Sequence, residues 1–138
     1  MKIKVFCLLL TLLTVSLSVS AKKYPVIKFD KTTVDFGTFS QDSPVQSCVF
    51  RFTNVGKSKL VINYVHTACG CTAATYTKDF ISPGGSGEIR ITYDGTGRMP
   101  GKFKKYIQVF TNCKNDLTRL FIQGDMSAMP EETLKSNK

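Results

Sequence analysis

Short runs in which apolar and polar residues alternate are the feature that most constrains this chain. Cys48, Phe50 and Phe52 alternate with other residues along one run, and Ile89 and Ile91 do so along another. An alternation with period two is typical of β-strands that bury one face. Clusters of Gly, Pro, Asn, Asp and Ser separate the runs and mark turns. Because no helical period follows the N-terminal segment, the sequence predicts an all-β fold.

This pattern predicts about seven strands, of which the first is broken. They span residues 24–37, 48–52, 59–66, 79–81, 88–94, 103–111 and 117–124. Short strands with turns between them indicate a single antiparallel β-sandwich of immunoglobulin (Ig) type. Trp is absent, and no cysteine pair suits the disulfide that joins the two sheets of antibody domains. We therefore expect an Ig-like sandwich rather than an antibody domain. The side chains expected to share its core are Phe50, Phe52, Ile89, Ile91, Ile107 and Val109.

The first 21 residues have the features of a secretory signal peptide. Lys2 and Lys4 precede an apolar run that ends in small residues at Ser20 and Ala21, and this order is typical of cleaved signals. The run is shorter than the about 20 apolar residues that a membrane span needs. We expect a signal peptide at residues 1–21, an Ig-like domain at 22–126 and a flexible tail at 127–138. The mature protein should be soluble and exported, either periplasmic or extracellular.

The basic charge balance does not point to nucleic acid. Losing Lys2 and Lys4 with the signal lowers the formal net charge from +9 to about +7. A basic balance can indicate nucleic acid or an acidic surface as the partner. Here the charges are spread along the chain and alternate with apolar residues, as on solvated strand faces. We therefore expect no nucleic acid as a partner. For an exported Ig-like module, the expected partner is a protein or an envelope component.

Cys69, Gly70, Cys71 and Thr72 form the most distinctive short motif. Glycine lets the backbone turn sharply, so both sulfurs can lie on one side. Residues two apart have α-carbons about 5.5 to 7 Å apart, at the upper edge of the range for a disulfide. Such a bond would close a very small ring, gain little from loop entropy and be easily reduced. Three interpretations stay open: a packed tight turn, thiol–disulfide exchange, and binding of a soft metal such as Cu(I).

Two further residues are candidates to assist this pair. His66 precedes Cys69 by three residues and could complete a three-ligand set, and Cys48 could supply a fourth ligand. A closed zinc site needs four ligands, usually in spaced pairs, so a two- or three-coordinate soft metal fits this chain better. Cys113 follows a strand that runs the other way. It should lie a strand length, on the order of 20 Å, from Cys48, which is too far for a disulfide.

Four basic residues lie in or beside the glycine-rich loop at residues 95–101: Arg98, Lys102, Lys104 and Lys105. In an up-down sandwich this loop, the turn at residues 41–44 and the cysteine loop all lie at one end. Positive charge near a thiol favours the reactive thiolate, so these residues are candidates to activate Cys69 and Cys71. The alternative is that the basic side chains extend into solvent, where salt screens them beyond about 10 Å.

The sequence carries no arrangement typical of an enzyme. The acidic residues form no obvious pair and His66 is the single histidine, which leaves little for general-base catalysis. The glycines at 95, 97 and 101 join two strands, so they do not form a phosphate-binding loop. We expect a non-enzymatic module that binds its partner through a sheet edge or the end loops. The alternative is a redox or Cu(I)-binding protein that uses Cys69 and Cys71, and no other cofactor is expected.

Several motifs together resemble a known bacterial family. Residues 52–56 (Phe-Thr-Asn-Val-Gly), 69–72 (Cys-Gly-Cys-Thr) and 81–84 (Ile-Ser-Pro-Gly) stand in the order seen in the bacterial domain-of-unknown-function 1573 family. The similarity covers about residues 25–125. It implies an exported Ig-like sandwich, similar to hydin-type domains, and no established activity. The chain departs from the family at Ala68, where serine is usual, and at residues 73–74, where a proline is common.

Overall fold

The computed structural model describes residues 20–130, which contain eight β-strands and no helix. The strands are β1 (Ile27–Phe29), β2 (Thr33–Ser40), β3 (Val45–Asn54), β4 (Ile62–Thr67), β5 (Thr72–Tyr76), β6 (Ser86–Asp94), β7 (Gly101–Thr111) and β8 (Leu117–Ser127). Over this range there is accordingly no helix that could cross a membrane. Most of the predicted signal peptide, residues 1–19, and residues 131–138 of the predicted tail lie outside the described residues.

Two four-stranded sheets form the sandwich. One has the strand order β1-β3-β6-β5 and the other β2-β8-β7-β4. These orders correspond to the two sheets of constant-type immunoglobulin domains, with β2 added beside the last strand. The chain changes sheets between β1 and β2, so β2 runs parallel to β8 while every other neighbouring pair is antiparallel. The predicted all-β sandwich is confirmed, with eight strands instead of about seven and one parallel pair.

The six side chains predicted to share one core all do so, each no more than 1% exposed. Phe50 lies opposite Ile89 in the β3–β6 register, and Cys48 lies opposite Ile91. Burying a side chain of this size stabilises the fold by about 1.5 to 3 kcal/mol. The alternation seen in the sequence is therefore the pleat of strands that bury one face.

The prediction of a strand at residues 79–81 was wrong. Ile81 forms only an isolated bridge with Leu60, and the strand beside β6 is β5, which the alternation analysis missed. In β5 only Ala74 and Tyr76 pack against the core beyond the buried Thr72. A run of threonines and alanines at a sheet edge carries too little apolar contrast to be recognised by period.

Asn54 ties the ends of three segments together where β3 ends. Its buried side chain accepts from the backbone N–H groups of Val26 and Gly56 and donates to the carbonyl oxygens of Ser58 and Ile81. Gly56 is required because a Cβ there would collide with the backbone of residues 24–26. This cluster explains why Phe-Thr-Asn-Val-Gly stands out in the sequence: it is structural.

Candidate functional site

Three loops meet at one end of the sandwich, as the strand order predicted. The Gly95 N–H donates to the Pro44 carbonyl at 3.0 Å, and the Gln41 side-chain amide donates to the Arg98 carbonyl at 3.1 Å. Arg98 in turn reaches the third loop, where its guanidinium donates to Cys69 Sγ at 3.5 Å. Below them Tyr93 stacks on Phe103 with ring centroids 4.3 Å apart. The loops therefore rest on a packed aromatic layer.

Cys69 and Cys71 form a disulfide in the turn that carries the chain from one sheet to the other. Their α-carbons are 5.1 Å apart, closer than the sequence spacing suggested, because the Thr72 N–H donates to the Cys69 carbonyl at 3.0 Å and tightens the turn. We call residues 68–71 the disulfide turn. Its base is fixed by bonds from Thr67 Oγ1 to the Thr72 carbonyl and from the Asp94 N–H to the Cys71 carbonyl.

The two sulfurs have unlike surroundings. Cys71 is 7% exposed and belongs to the core, and its Sγ lies 3.7 Å from the Thr72 hydroxyl. Cys69 is half-buried, and its Sγ accepts from the Cys71 N–H at 3.2 Å as well as from Arg98. Gly70 faces open space, because a Cβ there would meet no atom within 4 Å. A reagent can therefore approach the turn from outside and would meet Cys69.

His66 and Cys48 do not join the pair. His66 is exposed on β4, in the register that points away from the core, whereas Cys71 points into it. Cys48 packs against the core from β3, where burial raises the pKa of its thiol and the charge of Lys31 opposes the rise. Residues 20–130 bring together no group of three His, Cys, Asp or Glu side chains that could hold a metal ion. The three- or four-ligand set considered from the sequence is therefore not assembled among these residues.

The basic residues also separate. Arg98 alone contacts a cysteine, as described above. Lys102, Lys104 and Lys105 belong to β7, not to the loop, and Lys104 lies over the Phe121 ring at 4.9 Å. The structure therefore places only Arg98 of these four candidates against a sulfur. A continuous strand alternates its side chains between two faces, so successive lysines cannot converge on one point.

Cys113 lies at the other end of the molecule, in the turn between β7 and β8. Cys48 and Cys113 are both free thiols, which agrees with the prediction that they do not pair. Cys113 packs partly against the core, and its N–H bonds to Thr111 Oγ1 at 3.3 Å. It is therefore a packed turn residue.

Sequence reasoning missed a second candidate site, the outer face of the β2-β8-β7-β4 sheet. Cross-strand neighbours there form successive rows: Tyr64 beside Phe110, His66 beside Gln108 and Gln108 beside Arg119, Tyr106 beside Phe121, and Lys104 beside Gln123. We call this surface the aromatic-basic face. The residues that define it are Tyr64, His66, Lys104, Tyr106, Phe110, Arg119 and Phe121.

The aromatic side chains of this face are partly exposed and partly fixed. Tyr64 is 51% exposed and Tyr106 is 43% exposed. Tyr64 stacks on Phe110 with centroids 4.3 Å apart, and Lys104 covers the Phe121 ring. The signal in the sequence was present: Lys104, Tyr106, Gln108 and Phe110 occupy alternate positions of β7. These outward-facing residues were not recognised as a surface because the intervening residues of the same strand form its apolar, core-facing side.

The outer face of the other sheet differs. Its cross-strand pairs carry no aromatic side chain: Ser47 pairs with Thr92 at 3.1 Å and Thr53 with Ser86 at 3.2 Å between hydroxyl oxygens, and Val49 lies opposite Arg90 and Arg51 opposite Glu88. Arg90 on this face has Glu88 nearby, 3.8 Å between charged atoms. These hydroxyls bond to each other. The contrast makes the aromatic-basic face the better candidate for a binding surface.

The fold is an Ig-like β-sandwich, and comparison with known proteins agrees. The chain is similar to domain 7 of human CEP192, an ASH / PapD-like domain, with 11% identity, a TM-score of 0.59, and coverage of 82% of this chain and 98% of that one. It is also similar to the secreted serine protease VesC of Vibrio cholerae, with 15% identity, a TM-score of 0.57, and coverage of 79% and 25%. These similarities establish the fold.

The family is established by its sequence model, "Protein of unknown function (DUF1573)", which matches residues 27–126. The chain belongs to this family. A protein of unknown function from Porphyromonas gingivalis W83 has a similar structure, with 22% identity and a TM-score of 0.64. That comparison covers 78% of this chain, which spans about half the length of the Porphyromonas chain, at 50%. No curated protein matches the sequence.

Proposed function

We propose that this protein is an exported, non-enzymatic interaction module that binds an acidic protein surface of the cell envelope through its aromatic-basic face. The observation that carries the proposal is the set of rows on the outer face of the β2-β8-β7-β4 sheet. There the exposed rings of Tyr64 and Tyr106 lie among the charges of Lys104 and Arg119.

Aromatic rings on this face are suited to contribute affinity. Tyr, Phe and Arg are enriched in protein interfaces, and buried aromatic anchors account for much of their binding energy. Stacking on Phe110 holds Tyr64 in place, so less side-chain entropy is lost when a partner covers it. The contrasting face carries hydroxyl pairs and no such anchor among its cross-strand pairs.

Charge favours an acidic partner. Lys104 lies on β7 beside Gln123 and Arg119 lies on β8 beside Gln108, whereas the carboxylates of the same sheet are Asp35 on β2 and Asp125 beside Lys102 at the loop end of β8. The Asp35 carboxylate accepts hydrogen bonds from the Gln123 side chain and the Gly37 N–H, and these bonds lower its pKa. Complementary charge steers association and sets the register of an interface. We propose a protein as the partner because a protein can offer both acidic groups to the basic side chains and apolar groups to the aromatic rings.

The proposal also includes export from the cytoplasm. The signal peptide expected at residues 1–21 would deliver the domain to the periplasm or the cell exterior, where envelope proteins are accessible. N-terminal sequencing of protein secreted from a bacterial host tests this step, with cleavage after Ser20 or Ala21 as the expected result. Recovery of the intact N-terminus from the cytoplasm would contradict it.

Binding can be tested with a fluorescent synthetic peptide of glutamate and tyrosine. Its affinity for the full protein is compared with that for Lys104→Glu/Arg119→Glu, which reverses two charges on the proposed face. Exposed charge pairs contribute about 0.2 to 1 kcal/mol each, so two reversals should cost about 1 to 2 kcal/mol. The peptide should bind roughly 5- to 30-fold more weakly.

Arg51→Glu/Arg90→Glu is the matched control, because both of these exposed arginines lie on the outer face of the other sheet. It has the same net charge as the test variant and should retain the affinity of the unmodified protein. If both variants bind the peptide equally weakly, the peptide responds to net charge alone. That result would refute the aromatic-basic face as the binding surface. An acidic oligosaccharide that binds in place of the peptide would refute the protein partner.

A further inference from the structure

We propose that the disulfide turn is a thiol–disulfide exchange site whose bond between Cys69 and Cys71 oxidises exposed dithiols of another exported protein. This activity is separate from the binding face. It rests on three observations: the small ring that the bond closes, the unequal exposure of the two sulfurs, and the contact of Arg98 with the outer one.

The bond is poorly suited to stabilising the fold. Cross-linking residues two apart removes little entropy from the unfolded chain, because the stabilisation grows with loop length. The turn is already fixed without it, by the bonds from the Thr72 N–H, Thr67 Oγ1 and the Asp94 N–H. Its backbone should therefore persist after reduction, and the sulfurs should stay positioned to form the bond again.

The surroundings define which sulfur is attacked. Cys71 is buried in the core, whereas Cys69 is half-buried beside open space over Gly70. Met99, 87% exposed, follows Arg98 in the neighbouring loop and offers an incoming chain an apolar contact. The guanidinium of Arg98 adds a positive charge that attracts a thiolate. A partner sulfur therefore reaches Cys69 first.

The exchange balances in two steps. The first partner thiolate bonds to Cys69 Sγ, the bond to Cys71 breaks, and Cys71 leaves as a thiolate that can accept a hydrogen bond from the Thr72 hydroxyl. The second partner thiolate then attacks the first partner sulfur, and Cys69 leaves as a thiolate beside Arg98. The partner dithiol is oxidised to a disulfide, and this protein is reduced to two thiols. A positive charge that stabilises the reduced form makes the pair more oxidising.

The first test measures which sulfur reacts. Cys71→Ser leaves Cys69, and Cys69→Ser leaves Cys71, so each folded variant can be mixed with a synthetic peptide disulfide and the mixed disulfide followed by mass spectrometry. Cys69 should react at least about tenfold faster, because thiol exchange depends on access as well as on thiolate content. Equal rates, or a faster reaction at Cys71, would overturn the proposal.

The second test measures the redox equilibrium of the full protein. The chain is equilibrated in glutathione buffers, quenched with acid and alkylated, and the peptide that holds both cysteines is weighed. Arg98→Gln should shift the equilibrium constant at least about threefold towards the disulfide, and Arg98→Lys should restore most of it, since charge near the thiolate is the cause. A disulfide that no glutathione buffer reduces, or equal constants in all three proteins, would overturn the proposal.

Discussion

Asn54→Ala should lower the free energy of unfolding by about 3 to 5 kcal/mol. The Asn54 side chain is fully buried at the end of β3 and makes four hydrogen bonds with backbone groups. It joins the N-terminal segment, the turn after β3 and the segment around Ile81. No other side chain contacts all three segments through hydrogen bonds within the described part of the chain.

The magnitude follows from the groups that alanine would leave behind. The N–H groups of Val26 and Gly56 and the carbonyl of Ser58 would lose this partner, whereas the Ile81 carbonyl would keep its bond from the Leu60 N–H at 2.9 Å. Each unsatisfied buried group costs about 1 to 3 kcal/mol. Water reaches the partly buried groups and reduces the total. The loss is still a large part of the about 5 to 15 kcal/mol that holds a domain together.

Asn112→Ala is the matched control. The Asn112 side chain accepts from the Val61 N–H at 2.9 Å and donates to the Lys59 carbonyl at 3.0 Å, but it is exposed. Water can replace both bonds, so this change should cost about 1 kcal/mol or less. Urea denaturation followed by circular dichroism gives both values. A loss at Asn54 no larger than that at Asn112 would refute the structural role assigned to Asn54.

Three further results are expected. Phe52→Ala should cost about 3 to 5 kcal/mol, while Phe80→Ala, at a side chain 69% exposed, should change stability by less than about 0.5 kcal/mol; similar midpoints in urea would contradict the core. Gly84 has φ of 81° in the turn after Pro83, so Gly84→Ala should cost about 1 kcal/mol or more, and an unchanged midpoint would contradict that conformation. Because burial raises the pKa of Cys48, its alkylation near pH 9 should be several-fold slower in folded protein than in urea. The stability contributed by its neutral thiol should be lost as the pH rises from its ordinary pKa through the raised one; equal alkylation rates would count against its burial.

The strands with strong contrast could be predicted from the sequence. The alternation around Phe50 and Ile89 is unambiguous because bulky apolar residues alternate with polar ones on each strand. In β5 most positions hold threonine or alanine, which differ little in hydrophobicity, so the period-two pattern did not identify this strand. The parallel pairing of β2 with β8 could not be predicted, since a sheet change depends on where the chain crosses at residues 30–32 and not on local pattern.

The candidate sites were predictable in different degrees. The Cys-Gly-Cys spacing marked Cys69 and Cys71 as a pair but left open whether their sulfurs are bonded, and strand order placed them at the same end as Arg98. The position of Lys102 depended on where β7 starts, and element boundaries are poorly defined by sequence. The predicted strand at residues 103–111 already contained Lys104 and Lys105. The aromatic-basic face required the register of β4, β7 and β8, because only cross-strand pairing brings Tyr64 beside Phe110.

The most direct test of the proposed binding surface is to map peptide binding by NMR. Nitrogen-15-labelled protein would be titrated with the glutamate and tyrosine peptide, and the amide shifts of all assigned residues followed. The proposal predicts concentration-dependent changes along β4, β7 and β8, strongest near Tyr106 and Gln108, with little change near Arg90 and Thr92 on the opposite face. Changes spread equally over both faces, or centred on β3 and β6, would contradict it.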